Sequence, residues 1–338
     1  MSIQSPNTSQ PREVPGVRGA SWLAWSPDSK KLAFVGAEDA KSAPHLYSEN
    51  ADGSDLVQLT SGDAATGHFA WAPDSKHLAF VRLDPDRGYS TGPDGISLKV
   101  GFVPHDTIRE VDADGKNDHP VIDTPGGNTS PSWSPDGQKI LYTNEQSPGW
   151  NRDNQSLLMV ANADGSSPSS VVGRQVWDAG WSPDGSVIAF SDPSGFLSPN
   201  VHTVHPDGTA DHVVKHGARF AGWSPDGQSL AFSKNQGLYL ADRNGNHAQH
   251  VAGSPSDGGA SLGSWSADGQ ITYGVGGHTY LANSQDGSSG KPILPDGRQE
   301  AESVLSPDGK HIAVTELGQD KLHLLVLDVS PSGDTLRG

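Results

Sequence analysis

Short apolar runs alternate with turn-forming residues along almost the whole chain. The runs at 32–35 and 188–190 are three or four residues long, and each follows a segment that begins with tryptophan and contains Pro, Asp and a small residue. Apolar runs of this length between such turn residues are typical of β-strands joined by hairpins. We therefore predict a chain of short strands.

The turn segment repeats seven times, 40 to 62 residues apart, as Trp-Ser-Pro-Asp-Gly or a close variant. The copies begin at Trp25, Trp71, Trp133, Trp181, Trp223, Trp265 and Leu305. In the Ser-Pro-Asp-Gly form of the turn, Pro presets one turn residue, Asp can bond to the backbone two residues on, and Gly takes a positive φ. Self-similarity at this period indicates a repeat architecture.

A second turn recurs within each repeat, at 51–53, 113–115, 163–165, 206–208, 243–245 and 285–287, with a poorer last copy at 332–333. Two tight turns per repeat predict a four-stranded antiparallel meander, for example strands at 220–223, 229–233, 237–241 and 249–252. One meander cannot bury both of its faces, so the units must pack face to face around an axis. The predicted fold is an all-β, single seven-bladed β-propeller spanning 1–338, with blades starting near 22, 68, 130, 178, 220, 262 and 302.

The N-terminus is predicted to complete the last blade. Blades two and three begin eight or nine positions after the end of the preceding fourth strand, from Leu59 to His68 and from Ile122 to Ser130, and counting back eight from Trp22 gives Val14. We therefore expect residues 12–14 to form the outer strand of blade seven, beside strands at 311–315 and 322–327. The competing strand is at 334–336, in which case 1–15 would be a tail.

Composition narrows the possible partners. The chain has 40 acidic and 23 basic residues, a formal charge of -17, which opposes binding to nucleic acid or anionic membranes and favours solubility. It has no cysteine, which excludes thiol chemistry. Residues 1–20 lack the apolar core of a signal peptide, so we expect a cytoplasmic monomer, or a periplasmic protein if a leader peptide has been removed.

The repeats resemble those of the TolB-type propellers, relatives of the WD-repeat proteins. The resemblance rests on the Trp-Ser-Pro-Asp-Gly segment, the Lys or Gln and apolar triplet that follow it, and the later Ala-Asp-Gly turn, and it covers about Trp22 to Leu327. It implies a propeller, often of six blades in that family, whose separate α/β domain has no counterpart in this sequence. Prolyl-oligopeptidase-type enzymes carry a similar propeller beside a hydrolase domain that we do not find. The resemblance thus implies scaffold, gate and enzyme precedents, and does not choose among them.

Connections between the second and third strands of a blade differ most from one another, at 36–44, 82–106, 144–154 and 191–200. Variable connections at one end of a rigid scaffold usually carry function. The longest, 82–106, contains its own turn at 92–95, which predicts an extra hairpin. Such a hairpin favours a small ligand if it covers the site and a protein partner if it points outward.

Ligand-binding candidates are the aromatic residues, with one arginine, in or beside these connections. An aromatic-lined concave mouth suits an apolar or sugar ligand. These candidates are Trp22, Tyr89, Trp150, Arg152, Trp177, Phe196 and Phe220.

Catalytic candidates come from the positions three residues before each motif copy, which we expect to start the innermost strands. His68, Asp178 and Glu302 occupy three of these positions, and Arg219 precedes a fourth. Together they would supply a base, an acid and an anion clamp. The alternative is that they are solvated residues paired with one another.

No cofactor or metal is predicted. His202 and His205 point to opposite faces of a strand, and His212 and His216 are too far apart to share an ion. Gly259 to Gly263 match the G-x-S-x-G nucleophile pattern, but no helix follows, and we interpret the match as a loop. Two hypotheses stay open: a propeller that binds a partner protein, a peptide, or a small-molecule or sugar ligand, and a stand-alone lyase, isomerase or cyclase.

Overall fold

The computed structural model describes residues 11–39, 41–84, 89–92, 95–98, 105–145, 156–193, 199–256, 258–284, 290–294, 298–318 and 322–329, with 89–92 and 95–98 described as backbone. These residues form seven four-stranded antiparallel sheets and one two-stranded sheet. The predicted fold class, an all-β seven-bladed β-propeller, is confirmed. The described residues contain no helix, and hence none long and apolar enough to cross a bilayer.

The strands of the described residues are short, from two to eight residues. In chain order they are β1 (Arg12–Glu13), β2 (Arg18–Trp25), β3 (Lys31–Ala37), β4 (His45–Asn50), β5 (Val57–Gln58), β6 (Thr66–Trp71), β7 (His77–Arg82), β8 (Tyr89–Gly92), β9 (Gly95–Leu98), β10 (Thr107–Asp112), β11 (His119–Ile122), β12 (Gly127–Trp133), β13 (Lys139–Glu145), β14 (Ser156–Asn162), β15 (Ser169–Val172), β16 (Trp177–Trp181), β17 (Ile188–Asp192), β18 (Asn200–Val204), β19 (His212–Lys215), β20 (Arg219–Trp223), β21 (Ser229–Lys234), β22 (Gly237–Asp242), β23 (Gln249–Ala252), β24 (Ala260–Trp265), β25 (Gln270–Val275), β26 (His278–Asn283), β27 (Lys291–Pro292), β28 (Glu300–Leu305), β29 (His311–Leu317) and β30 (Leu322–Asp328).

Each blade is a simple meander in strand order. Blade one is β2 to β5, blade two is β6, β7, β10 and β11, and blades three to six are β12–β15, β16–β19, β20–β23 and β24–β27. The predicted extra hairpin is present in blade two as β8 paired with β9, with Gly92 opposite Gly95.

Blade seven takes its outer strand from the N-terminus, as predicted. Its order is β28, β29, β30 and β1, with Arg12 opposite Val326 and Glu13 opposite Leu325. The N–H of Val14 also donates to the carbonyl of Leu324 at 2.9 Å. The competing segment at 334–336 lies outside the described residues.

Arg12 of β1 also holds a buried carboxylate of blade one. Its Nη2 lies 2.7 Å from Oε1 of Glu49, whose side chain is 1% exposed. The arginine crosses the turn at Gly53, where a Cβ would lie 2.4 Å from Nη1. A glycine is required there both for this contact and for its φ of 86°.

Contacts group the chain into two compact units. The first comprises 1–40, 49–55 and 221–338, and the second 41–48 and 56–220. In the second unit, one apolar core gathers around Trp181 and Phe190 and another around Ile108 and Tyr142. In the first unit, the cores are built around Ile271 in blade six and Ile312 in blade seven. The assignment of 1–338 to one domain stays a prediction.

The serine of the repeated segment explains why the segment is so regular. In blade four, Ser182 is fully buried; its hydroxyl donates to Asp184 at 2.6 Å and accepts the N–H of Val187 at 3.1 Å. The same serine–aspartate bond occurs in six blades, at Ser26, Ser134, Ser182, Ser224, Ser266 and Ser306. Blade two has Ala72 instead, and there Nδ1 of His77 lies 2.7 Å from Asp74.

The motif tryptophans Trp25, Trp71 and Trp181 are buried in the core, as their repetition predicts. Trp25 is 7% exposed and donates from Nε1 to the carbonyl of Val304 at 3.2 Å. Trp181 is 8% exposed and donates to the carbonyl of Ser132 at 3.3 Å. Each ring therefore fixes its own strand to the first strand of the preceding blade.

Candidate functional site

The positions three residues before the motif copies lie within the first strands and not at their starts. The prediction that they start the innermost strands was wrong by one residue in blades four and five and by four residues in blade one, where β2 begins at Arg18. In six blades the pairing of the first strand with the second shifts at or beside this position. Trp22, Ser130 and Asp178 have φ values of 52°, 53° and 40° there. A bulge of this kind turns the extra residue out of the ladder.

Glu302 holds the bulge at Trp22. Its Oε2 accepts the N–H of Trp22 at 2.8 Å and its Oε1 accepts the N–H of Leu23 at 2.9 Å. A left-handed backbone at a bulky residue costs roughly 1–3 kcal/mol, and contacts with the charged carboxylate offset it. Burial raises the pKa of Glu302, and the two N–H groups act in the opposite direction. The Trp22 side chain is 38% exposed.

Asp178 and Arg219 form an ion pair in the second unit. Oδ1 of Asp178 accepts from Nη2 of Arg219 at 3.0 Å, and Oδ2 contacts Nε. The hydrogen bond that Arg219 donates to the carboxylate of Asp178 raises the pKa of Arg219. The guanidinium lies over the ring of Trp177, 5.5 Å from its centroid. Three predicted site residues are therefore brought together here, two of them already paired with each other.

The other predicted site residues are dispersed or outside the described part of the chain. His68 is exposed on β6, and the Phe220 side chain is 7% exposed. Tyr89 begins β8, of which only the backbone is described. Trp150, Arg152 and Phe196 lie outside the described residues. All of these assignments stay predictions.

A cavity of about 390 Å³ lies in the first unit, between blades six and seven. We call it the β24–β28 cleft. It is lined by residues 258–259, 261–263, 274–279 and 300–304. These include the turn between β25 and β26, which joins the second and third strands of blade six, and the connection into β24. The cleft thus opens at the end of the blade where the sequence predicts function.

The cleft depends on close approach of glycine backbone. At Gly263 a Cβ would lie 2.6 Å from Oγ1 of Thr272 and 2.7 Å from the carbonyl oxygen of Ser303, so β24 and β28 meet there without a side chain between them. At Gly274, by contrast, a Cβ would lie 3.4 Å from Oγ of Ser261, an ordinary contact. Gly274 therefore leaves space that a side chain would fill.

Two glutamates of β28 face this cleft. Oε2 of Glu300 accepts the N–H of Thr279 at 2.5 Å. Burial raises the pKa of Glu300; the Thr279 N–H, His278 and Arg298 oppose this, and Glu316 adds to it. Glu302 is the second carboxylate of the lining. Two carboxyl groups with raised pKa values in one cavity can accept hydrogen bonds, hold a cation or exchange protons.

Sequence reasoning found Glu302 but missed Glu300, His278 and Thr279. The available signal was the two glycine pairs, 258–259 and 276–277, which flank the hairpin of β24 and β25. Ser261, from the rejected G-x-S-x-G match, lines the cleft. Our interpretation of that match as a loop was wrong, because Ala260–Trp265 is strand β24, although no helix follows it. Within the described ranges, no group of three or more His, Asp or Glu residues is placed to hold a metal.

No protein-family description and no curated protein matches the sequence. Among solved structures, an oligogalacturonate lyase in complex with manganese matches with a TM-score of 0.71 at 14% identity, covering 98% of this chain and 99% of that one. A prolyl endopeptidase matches with a TM-score of 0.62 at 14% identity over 95% of this chain and 51% of its own. A putative TolB from Agrobacterium tumefaciens matches with a TM-score of 0.46 at 23% identity over 60% of this chain and 75% of its own. Likeness at these identities to the first two shows the propeller fold and leaves the activity open.

Proposed function

We propose that this chain is a ligand-binding β-propeller that takes a small polar molecule into the β24–β28 cleft. The observation that carries the proposal is the cleft itself, about 390 Å³ in volume, with carboxylates and hydroxyls in its walls. Ligand sites are typically concave volumes of about 300–1,000 Å³ with a few convergent polar groups. The cleft is at the small end of that range.

The shape of the cleft favours a small molecule over the partner protein or peptide that the sequence also allowed. A stable protein interface covers about 800 Å² on each partner, mostly on open surface. The cleft offers a concave volume between two strands. Its glycine turns expose backbone to a ligand that enters between them.

Binding without chemistry agrees with the way the two glutamates are held. Both oxygens of Glu302 accept backbone N–H groups of Trp22 and Leu23, which gives the residue a positioning role within blades one and seven. Oε2 of Glu300 is similarly held by Thr279. Fixed carboxylates make a preorganised site, and preorganisation lowers the entropy lost on binding.

Acid–base catalysis is the second candidate function, and one observation favours it. Burial raises the pKa of both Glu300 and Glu302, which lets a carboxylic acid stay protonated at higher pH and donate a proton. A lyase, isomerase or cyclase would use such a group on the bound molecule. The predicted partners His68, Asp178 and Arg219 do not line this cleft.

The test is to fill the cleft. Gly274→Leu places a side chain beside Ser261 in the cavity, and Gly173→Leu is the matched control, because a Cβ at Gly173 meets nothing within 4 Å. Amide NMR shifts are followed while small polar fragments are added. We expect shifts at 274–279 and 300–304 in the wild type and the control, and their loss in Gly274→Leu.

Two results would contradict binding in the cleft. One is a fragment library that leaves the cleft amides unmoved in the wild type. The other is binding that persists in folded Gly274→Leu. Reproducible turnover of a bound compound, lost in Glu300→Gln, would replace the binding proposal by the catalytic one.

A further inference from the structure

Resting on the proposed binding function, we infer that the occupant of the β24–β28 cleft carries a primary ammonium group, which contacts Oε1 of Glu300. This assignment names the chemical class of the ligand. It follows from the charges of the lining, the hydrogen bonds of Glu300 and the donor set that the described residues offer.

The lining is acidic. It contains Glu300 and Glu302 and no lysine or arginine, and His278 is its one other titratable side chain among the described residues. The formal charge of the whole chain is -17, which attracts small cations over long range. An anionic ligand would have to enter against both the local and the overall charge.

Glu300 has one oxygen available for such a contact. Oε2 accepts the N–H of Thr279, and no other described residue donates a hydrogen bond to its carboxylate. Glu302 differs, because each of its oxygens already accepts a backbone N–H. The ammonium is therefore placed on Glu300 and not shared equally between the two glutamates.

The charged neighbours of Glu300 do not replace a ligand cation. Arg298 donates from Nη1 to Oε2 of Glu316 at 3.2 Å and is thereby neutralised in part. His278 is the other basic neighbour, on β26, and Glu316, on β29, is a further carboxylate. Around Glu300 there are thus two further carboxylates, one paired arginine and one histidine.

An ammonium group suits this donor set better than a metal ion. Calcium takes six to eight oxygen ligands and magnesium requires six in octahedral geometry, whereas no group of three His, Asp or Glu is assembled among the described residues. An ammonium has three N–H donors. The carboxylate of Glu300 and the hydroxyls of Ser261 and Thr279 line the same cavity and are acceptors of the required kind.

Binding of a cation at Glu300 should release protons. Burial raises the pKa of Glu300, and a nearby positive charge favours the ionised form. In the pH range where Glu300 is still partly protonated in the free protein, ammonium binding releases the proton. Affinity therefore rises as the pH rises through the folded pKa of Glu300, and stops rising once that carboxyl group is ionised in the free protein.

The experiment uses primary amines, each paired with its hydroxyl analogue: 2-aminoethanol with ethylene glycol, and glucosamine with glucose. Affinity is measured by titration calorimetry in two buffers of different ionisation enthalpy, which also counts released protons, and the position is mapped by amide NMR. We expect the amines to bind in the cleft at least about tenfold more tightly than their analogues, as a charge-assisted hydrogen bond implies.

Glu300→Gln should weaken amine binding by at least about tenfold and abolish proton release. Its amide oxygen can still accept the Thr279 N–H, so the fold is expected to persist. Glu38 is exposed and lies directly after β3. Glu38→Gln removes the same charge and should change neither the affinity for amines nor the proton release. If Glu300→Gln does not fold, the preference of the wild type for amines over their hydroxyl analogues in the cleft decides the question.

The outcomes separate the two proposals. Equal binding of amines and hydroxyl analogues in the cleft overturns the ammonium assignment and leaves the binding function standing. Binding of Mn²⁺ or Ca²⁺ alone in the cleft does the same. If neither amines, neutral analogues nor metal ions shift the cleft amides, both proposals fail.

Discussion

Glu302 and Asp178 occupy the same position of the repeat, three residues before the motif copy, in blades seven and four. Glu302 is partly buried and accepts two backbone N–H groups. Asp178 is 38% exposed and pairs with Arg219, itself 53% exposed. The repeat thus places both residues at a bulge, but their environments differ because their hydrogen-bond partners differ. One carboxylate has backbone as its partner and the other a side chain in solvent.

Glu49 is a further buried carboxylate, and the loss of its partner Arg12 is expected to have the largest effect on stability. Arg12→Ala removes the one charged partner shown for a carboxylate that is 1% exposed. We expect a loss of about 3 kcal/mol in the free energy of unfolding, measured in urea, because an unpaired buried charge is strongly unfavourable.

The matched control is the double variant Arg12→Ala/Glu49→Gln, which removes the unpaired charge and should recover part of that loss. A loss below about 1 kcal/mol in Arg12→Ala would show that the pair behaves like an exposed one.

Glu302→Ala should have the next largest effect. The N–H of Leu23 loses its acceptor in a partly buried place, whereas that of Trp22 can turn to water. We expect about 2 kcal/mol of destabilisation by thermal or urea unfolding. Glu302→Gln keeps an oxygen acceptor and should lose less; equal losses in the two variants would contradict this account.

The pH dependence of stability should have opposite signs for Glu302 and the motif aspartates. Burial raises the folded pKa of Glu302 above its ordinary value of 4.5. Its favourable contribution is therefore full below about pH 4.5 and is lost as the pH rises through the folded pKa. The unfolding free energy of the wild type minus that of Glu302→Gln should fall over this range, and a rise would contradict the burial argument.

Asp226 is a motif aspartate for which we expect a pH dependence of stability opposite to that of Glu302. The hydroxyl of Ser224, and then the N–H of Gln228, lower the pKa of Asp226 below its ordinary value of 3.8. Its contribution is present above pH 3.8 and is lost as the pH falls through the folded pKa. Asp226→Asn should therefore flatten the acid side of the same profile.

The exposed pair should have the smallest effect. Asp178→Asn and Arg219→Ala are each expected to cost about 1 kcal/mol or less, and the difference from the wild type should shrink at high salt. If either change lowers the free energy of unfolding by about 2 kcal/mol or more at any salt concentration, the pair stabilises the fold as a buried ion pair does and this prediction is wrong.

The strands and their order were predictable because the signal for them is local. The Pro, Asp and Gly of most motif turns determine hairpin geometry within five residues, and the strand bounds of blade five differ from the predicted ones by at most one residue. The role of Ser182 was also local, since its partners Asp184 and Val187 are within five residues.

The cleft was not predictable in the same way. Glu302 contacts the N–H of a residue 280 positions away in the chain, and the bulge that orients it is a shift in pairing between two strands. Neither leaves a pattern in the residues beside Glu302. Glu300 was missed for the same reason, because its partner Thr279 lies on β26 of the preceding blade.

The pairing of β1 with β30 also determines when the protein can finish folding during synthesis. Val326, the ladder partner of Arg12, is synthesised more than three hundred residues after it. Until β1 pairs with it, β30 has an open edge, which is a template for pairing with other chains. A loop closure over more than three hundred residues is also slow relative to local hairpin formation. Aggregation of nascent or refolding chains should therefore be most sensitive to residues 12–14.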